Sequence, residues 1–130
     1  MMHKDNPLVG TGLTPDVFTS ADHLAVVPSH EAVSTLDQHL KELKMKRKIV
    51  LNVSQSSAVP AILSRTPLLA CVLDSVAKTF PPNELVSIPL PFEMKPLKVL
   101  AVWSKARGRN PDVLWMRRRV VEACTRTNSF

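Results

Sequence analysis

From Arg47 to Phe80 the chain reads RKIVLNVSQSSAVPAILSRTPLLACVLDSVAKTF, and this stretch restricts the fold more than any other. Ile49–Val53 has strand character. Ser57–Ser64 reads as a short apolar helix that tolerates Pro60 only within its first turn. After the Arg65–Pro67 turn, Leu68–Leu73 is apolar at every position, as a strand covered on both faces must be. Asp74 then opens a helix that ends near Phe80, where Pro81 and Pro82 stop it. Strands alternating with short helices require a parallel sheet, and such sheets gather ligand groups where strands hand over to helices. The expected class is therefore α/β.

The flanking sequence extends the pattern. Residues 1–12 read as a loop or a broken end. Thr14, Pro15 and Asp16 open a short helical turn, and His23–Val27 is a short strand. The clearest helix runs from Ser29 to about Leu43, with Val33, Leu36, Leu40 and Leu43 along one side. Leu85–Leu90 is a strand weakened by Pro89, suited to an edge or a crossing segment. Leu97–Trp103 reads as a stronger strand. Asn110 caps a closing helix with Pro111 first and Val113, Met116, Val120 and Cys124 on its inner side. The only possible linker is the proline-rich run Pro89–Pro96.

Composition excludes several classes. A chain of 130 residues with 45% hydrophobic content is one globular domain or part of one. Its longest apolar runs are too short to cross a bilayer, and MMHKDNPLVG contains no secretory apolar core. Cys71 and Cys124 read as reduced thiols, pointing to the cytoplasm. The net charge of +6 invites a nucleic-acid reading, but there is no tyrosine and there are only two tryptophans, and no recognition motif is visible. A solvated basic face is the preferred account of Lys41–Lys48 and Lys105–Arg126.

Residues able to bind sit at the handovers. Ser29 and His30 begin a helix, whose free N–H groups favour an anion, although Ser29 could simply cap it. Ser54, Gln55, Ser56 and Ser57 follow a strand and precede a helix, where Ser56 or Ser57 could equally be a cap. Thr66 lies in the next turn, which turn chemistry alone could explain. Catalysis has no support. With only Gly10, Gly12 and Gly108 there is no phosphate-binding loop. His3, His23, His30 and His39 lack metal spacing. Apolar neighbours raise the pKa of Cys71, and no serine has an identifiable base. No cofactor or metal is expected. Trp103 and Trp115 read as core or interface anchors.

Four pieces in order, Ala58-Val59-Pro60-Ala61-Ile62-Leu63 with Thr66, Ile88-Pro89-Leu90-Pro91, Val99–Trp103, and Asn110-Pro111 with Trp115, Met116, Arg117 and Val120, resemble the effector-binding domain of LysR-type transcriptional regulators. The resemblance covers about residues 13–125 and is nearest to the nodulation and aromatic-catabolism activators. It implies a periplasmic-binding-protein-like (type 2) half, a small, mainly parallel sheet flanked by helices. Residues 13–90 would form an effector-binding subdomain, 91–126 a return strand and helix of the partner subdomain, and 127–130 a tail. It also implies a small anionic or aromatic effector on Ser29, His30, Ser54, Gln55, Ser56, Ser57 and Thr66. DNA would be reached only through a helix-turn-helix that this chain does not contain. Self-association is expected, because Leu97–Trp103 would lack its neighbours. Two other readings are a dimerisation module without a ligand and a basic nucleic-acid-binding protein.

Overall fold

A computed structural model describes residues 1–27, 34–95 and 100–127 of the chain. These fall into two compact units, Met1–Met94 and Lys95–Phe130.

In the first unit, Thr14 accepts a hydrogen bond from the Val17 N–H (3.3 Å) and Pro15 takes the first position of α1 (Pro15–Ser20), where a missing N–H does no harm. The central strand, β2 (Asp22–Val26), follows, then α2 (Thr35–Glu42), β3 (Lys48–Val53), a 3-10 turn (Ser56–Ala58), α3 (Val59–Leu63), β4 (Leu69–Ala70) and α4 (Asp74–Ala77). β2 pairs in parallel with both β3 and β4. A bulge in the β2–β3 ladder leaves Val50 as the extra residue between the His23–Ile49 and Leu24–Leu51 pairs. Two further short strands, β1 (Met2–His3) and β5 (Leu85–Val86), form an antiparallel ribbon.

Both faces of the parallel sheet are covered at β2 and β4, whereas β3 is largely exposed. Successive strand residues point to opposite sides, so Leu24 and His23 face different layers. Leu24 packs with Val59 and Leu63 of α3 and with Ala70. His23 meets the Phe18 ring edge-on, with centroids 4.6 Å apart, and Phe18 packs with Leu36 and Leu40 of α2. Each fully buried leucine or phenylalanine contributes about 1.5–3 kcal/mol of transfer free energy.

α2 ends in a left-handed cap. The Lys44 N–H donates to Lys41 O (3.1 Å) and the Met45 N–H to Leu40 O (2.8 Å), while Lys44 takes φ 58°. Met45 packs in the same cluster as Leu40. This is the arrangement in which glycine usually ends a helix.

The His23 ring is fully buried, with Nε2 2.7 Å from the Phe18 carbonyl oxygen. Nε2 therefore carries the proton and donates, whereas buried Nδ1 has no partner among the described residues. Burial lowers the pKa of this histidine below its ordinary 6.5, because protonation would put a second N–H where nothing accepts it. The unfolded chain then binds a proton that the folded chain refuses. The contribution is full above about pH 6.5 and is lost as pH falls below it. Urea unfolding at pH 7.5 and 5.5 should give a larger acid loss for the native chain than for His23→Gln; equal losses would show that His23 is not responsible.

The second unit contains a 3-10 turn at Lys105–Arg107 and one long helix, α5 (Pro111–Thr127). Asn110 caps it, accepting from the Asp112 N–H at 2.9 Å. Residues 95–130 hold nine lysines and arginines against two acids, and residues 1–94 hold eight against nine. The formal excess of positive charge thus belongs to the second unit. The Arg117 guanidinium lies 4.2 Å from the Trp103 ring centroid and that of Arg119 5.8 Å from Trp115.

Several expectations are corrected. Residues 1–12 are not all loop, since fully buried Met2 and its neighbour His3 pair with Leu85–Val86; two residues are too few to show a period. The apolar run at 68–73 yields only Leu69–Ala70 as strand, and Leu73 is exposed, because beyond Ala70 there is no β2 partner. Asp74 is the first residue of α4, not its cap, and its carboxylate pairs with Lys78 at 3.1 Å. Of the strand expected at 97–103, residues 97–99 lie outside the description, and 100–103 form no strand. Met116, Val120 and Cys124, expected on the inner side of α5, are exposed.

Candidate ligand-binding site

Because β2, β3 and β4 run parallel, their carboxyl ends lie at one end of the sheet. Three segments leave from there: the one after Val26, residues 54–58 after β3, and residues 71–74 after β4. Ser29 and His30, on the first, lie outside the described residues.

The second segment keeps its polar groups available. Ser54, Gln55 and Ser57 are exposed and Ser56 is half-buried. Gln55 occupies the cap position of the 3-10 turn without a side-chain cap bond, so neither Ser56 nor Ser57 is the N-cap. Among the described residues none of the three hydroxyls has a hydrogen-bond partner in the protein. Apolar packing of Val59 and Leu63 beneath the loop holds it in place.

The third segment opens a cavity of about 340 Å³, walled by Ala70, Cys71, Val72, Asp74, Ser87 and Leu90 among others. Its size falls in the range of small-ligand sites. Burial pushes the Cys71 thiol above its usual pKa, so it serves as an apolar wall with a weak donor and not as a nucleophile. Attention to hydroxyls alone passed over this cavity. The readable signal was position, because 71–74 follow a buried strand as 54–57 follow β3.

Thr66 is not brought to the same place. It precedes β4 and so lies at the opposite end of the sheet, and its hydroxyl donates to Ile62 O at 2.8 Å. It borders a separate polar depression of about 290 Å³ with His3, Asn6 and Arg65. The nearby Ser64 hydroxyl donates to Ala61 O at 3.1 Å. Turn chemistry accounts for both residues.

Among the described residues no group of three or more His, Cys, Asp or Glu could hold a metal ion, and no helix is long and apolar enough to cross a membrane.

Comparison with known proteins gives a consistent picture. The family model described as LysR substrate binding domain matches residues 1–125. The HTH-type transcriptional activator NagR of Ralstonia sp is 27% identical over 123 residues, covering 94% of this chain and 41% of that protein. NahR of Pseudomonas putida, also an HTH-type transcriptional activator, is 26% identical over 126 residues, covering 96% and 42%. The chain thus spans about two-fifths of these relatives. A transcriptional regulator from Vibrio parahaemolyticus superposes with a TM-score of 0.78 and 26% identity, over 99% of this chain and 61% of that one. The regulatory domain of MexT, a transcriptional activator in Pseudomonas aeruginosa, gives 0.71 and 26%, over 85% and 56%.

Proposed function

Because the chain belongs to the LysR substrate-binding-domain family, matched over residues 1–125, we propose that it senses a small effector on behalf of a LysR-type transcriptional regulator. It has the periplasmic-binding-protein-like type 2 fold of such regulatory domains, and its family and relatives are regulators of transcription, not enzymes. The effector is a small anionic or aromatic compound. It sits at the carboxyl end of the parallel sheet against Ser54, Gln55, Ser56 and Ser57, with Ser29 and His30 contributing from the segment after β2. The strand-end cavity at 70–74 and 87–90 supplies an apolar wall.

The observation that carries this reading is the contrast between hydroxyls. Those at 54, 56 and 57, the first and last exposed and Ser56 half-buried, have no protein partner among the described residues, while those of Ser64 and Thr66 are engaged by the backbone. A bound ligand would complete the hydrogen bonding of the first set. It would also bridge to the remainder of the regulatory domain, and that closure would reorient DNA-binding heads carried by a helix-turn-helix outside this chain. Such a regulator works in the cytoplasm and associates with itself.

Benzoate serves as a test anion. Its titration should move the amide resonances of Ser54–Ser57 together, and Ser56→Val should weaken binding by about 1–3 kcal/mol with little change in stability. Resonance changes confined to the basic residues of α5 would sink the site.

A further inference from the structure

The serine loop after β3 and the cavity beside β4 lie at the same end of the sheet, but too far apart for a short ligand to touch both. β2 stands between β3 and β4, so the ends of those outer strands are separated by two strand spacings, about 10 Å. β3 also runs further. Val53 pairs with Val26, whereas Ala70, the last residue of β4, pairs with Leu24. That offset of two residues adds about 7 Å along the strands. Ser54 and Cys71, the first residues after each strand, are therefore set roughly 12 Å apart. A benzoate, one ring with its carboxylate attached directly, reaches the loop or the cavity but not both.

The two ends also differ in chemistry. Ser54–Ser57 offer hydroxyl and amide groups, which donate to a carboxylate without bearing charge. The cavity is walled mainly by apolar groups, among them Ala70, Cys71, Ala77 and Leu90, and no lysine or arginine side chain lines it. The Met1 amino group on its wall donates to the Ala70 carbonyl at 3.0 Å, and burial lowers its pKa, so it holds its proton less firmly than a free terminus. The Asp74 carboxylate stands on the same wall. Its pairing with Lys78 at 3.1 Å is solvent-exposed on both sides and so offsets little of its charge. An anion entering the cavity would lose water and meet Asp74. A neutral ring would fill the space without that cost.

We propose that the effector is an elongated monoanion. Its carboxylate is held by Ser54–Ser57, its linker crosses the carboxyl end of β2, and a neutral ring fills the cavity at Cys71. Asp74 is a specificity residue that rejects ligands carrying a second carboxylate at the far end. Aryl-alkanoates, with ring and carboxylate several carbons apart, meet both requirements of length and polarity. Benzoates fail the first and long dicarboxylates the second. Burial of the ring should raise affinity at least about tenfold over an acid too short to reach the cavity. This deepens the effector-binding reading above and rests on it, naming the class of ligand that the two ends of the site accept together.

Amide resonances of the full chain test the idea when benzoate, 4-phenylbutanoate and the para-carboxylated form of 4-phenylbutanoate are titrated in turn. Benzoate should move only Ser54–Ser57, whereas 4-phenylbutanoate should move these and residues 71–77 together and bind at least about tenfold more tightly. Ala77→Leu and, independently, the exposed Ser87→Leu narrow the cavity; each, checked for folding by circular dichroism, should abolish that gain and leave benzoate binding unchanged. The dicarboxylate should bind the native chain no better than benzoate, and Asp74→Asn should restore most of the gain to it. Equal binding of benzoate and 4-phenylbutanoate, with residues 71–77 still, overturns the elongated ligand and leaves the effector site at the serine loop standing. A gain that survives both cavity-filling variants places the ring elsewhere and overturns the proposal equally. A dicarboxylate that binds the native chain as tightly as 4-phenylbutanoate overturns the role of Asp74. If none of the three acids moves Ser54–Ser57, the effector-binding reading falls and this inference falls with it.

Discussion

Asp37→Ala should cost about 3–5 kcal/mol of stability, the range for breaking a buried ion pair from one side. Asp37 accepts two hydrogen bonds from Arg47, Nε to Oδ1 at 2.7 Å and Nη2 to Oδ2 at 2.9 Å. The Arg47 side chain is 3% exposed, whereas that of Asp37 is 30% exposed. Removing the carboxylate strands a guanidinium that water cannot reach. Removing the guanidinium leaves a carboxylate that is partly hydrated and sits in the first turn of α2, where the helix dipole favours it. Arg47→Ala should therefore cost less than Asp37→Ala, and Asp37→Leu combined with Arg47→Met should recover most of the loss. Denaturant unfolding of the four proteins checks this; additive losses in the double variant would show that the pair is not coupled. Burial by itself would raise the Asp37 pKa, but the hydrogen bonds and charge of Arg47 outweigh it and hold the carboxyl below its ordinary 3.8. That stabilisation is present above the unfolded value and is lost as pH falls through the folded one. Acid thus weakens this unit in two steps, first through His23 and then through Asp37.

Phe18→Ala is expected to cost a similar amount, about 3–5 kcal/mol, as truncation of a fully buried aromatic does. Phe18 is 1% exposed and meets two rings edge-on, His23 at 4.6 Å and Phe92 at 5.3 Å. It seats α1 on the sheet and lies over the face that carries His23. A hole there would admit water to the unpartnered Nδ1, so the His23 pKa should rise toward its ordinary value in the variant. Phe18→Leu keeps most of the volume and should cost less than half as much. Calorimetry gives the stability change and histidine resonances followed with pH give the second effect. An unchanged His23 titration in a destabilised Phe18→Ala would mean that the ring does not shield it.

The βαβ order was legible because it is written in local patterns. The Leu36–Leu40 spacing, the wholly apolar segment around Leu69 and Ala70, and the Thr14-Pro15 and Asn110-Pro111 starts each depend on neighbours in sequence. Met2 was not legible, because its burial depends on Leu85 and Val86, more than eighty positions away. The strand read at 97–103 failed for the converse reason: a β-prone run is a strand only if another strand lies beside it, and residues 100–103 have none among the described residues. For the site, the sequence supplied the chemistry of residues 54–57 but could not separate hydroxyls that face solvent from those that bond to their own turn, which is why Thr66 was grouped with them. The cavity beside Cys71 depends on how 87–90 pass β4, and no local pattern reports that.

Lys44 has an evolutionary consequence. Its left-handed backbone costs a side chain with a β-carbon about 1–2 kcal/mol, and the favourable meeting of its ammonium with the carboxyl end of α2 returns roughly 0.3–1 kcal/mol. The position sits close to a mutational optimum that the chain has not taken. Asparagine, which tolerates this conformation, is a single nucleotide change from lysine, and glycine is two. A lineage under pressure for thermal robustness would find one of its shortest routes here, on the surface and away from the residues assigned to the ligand.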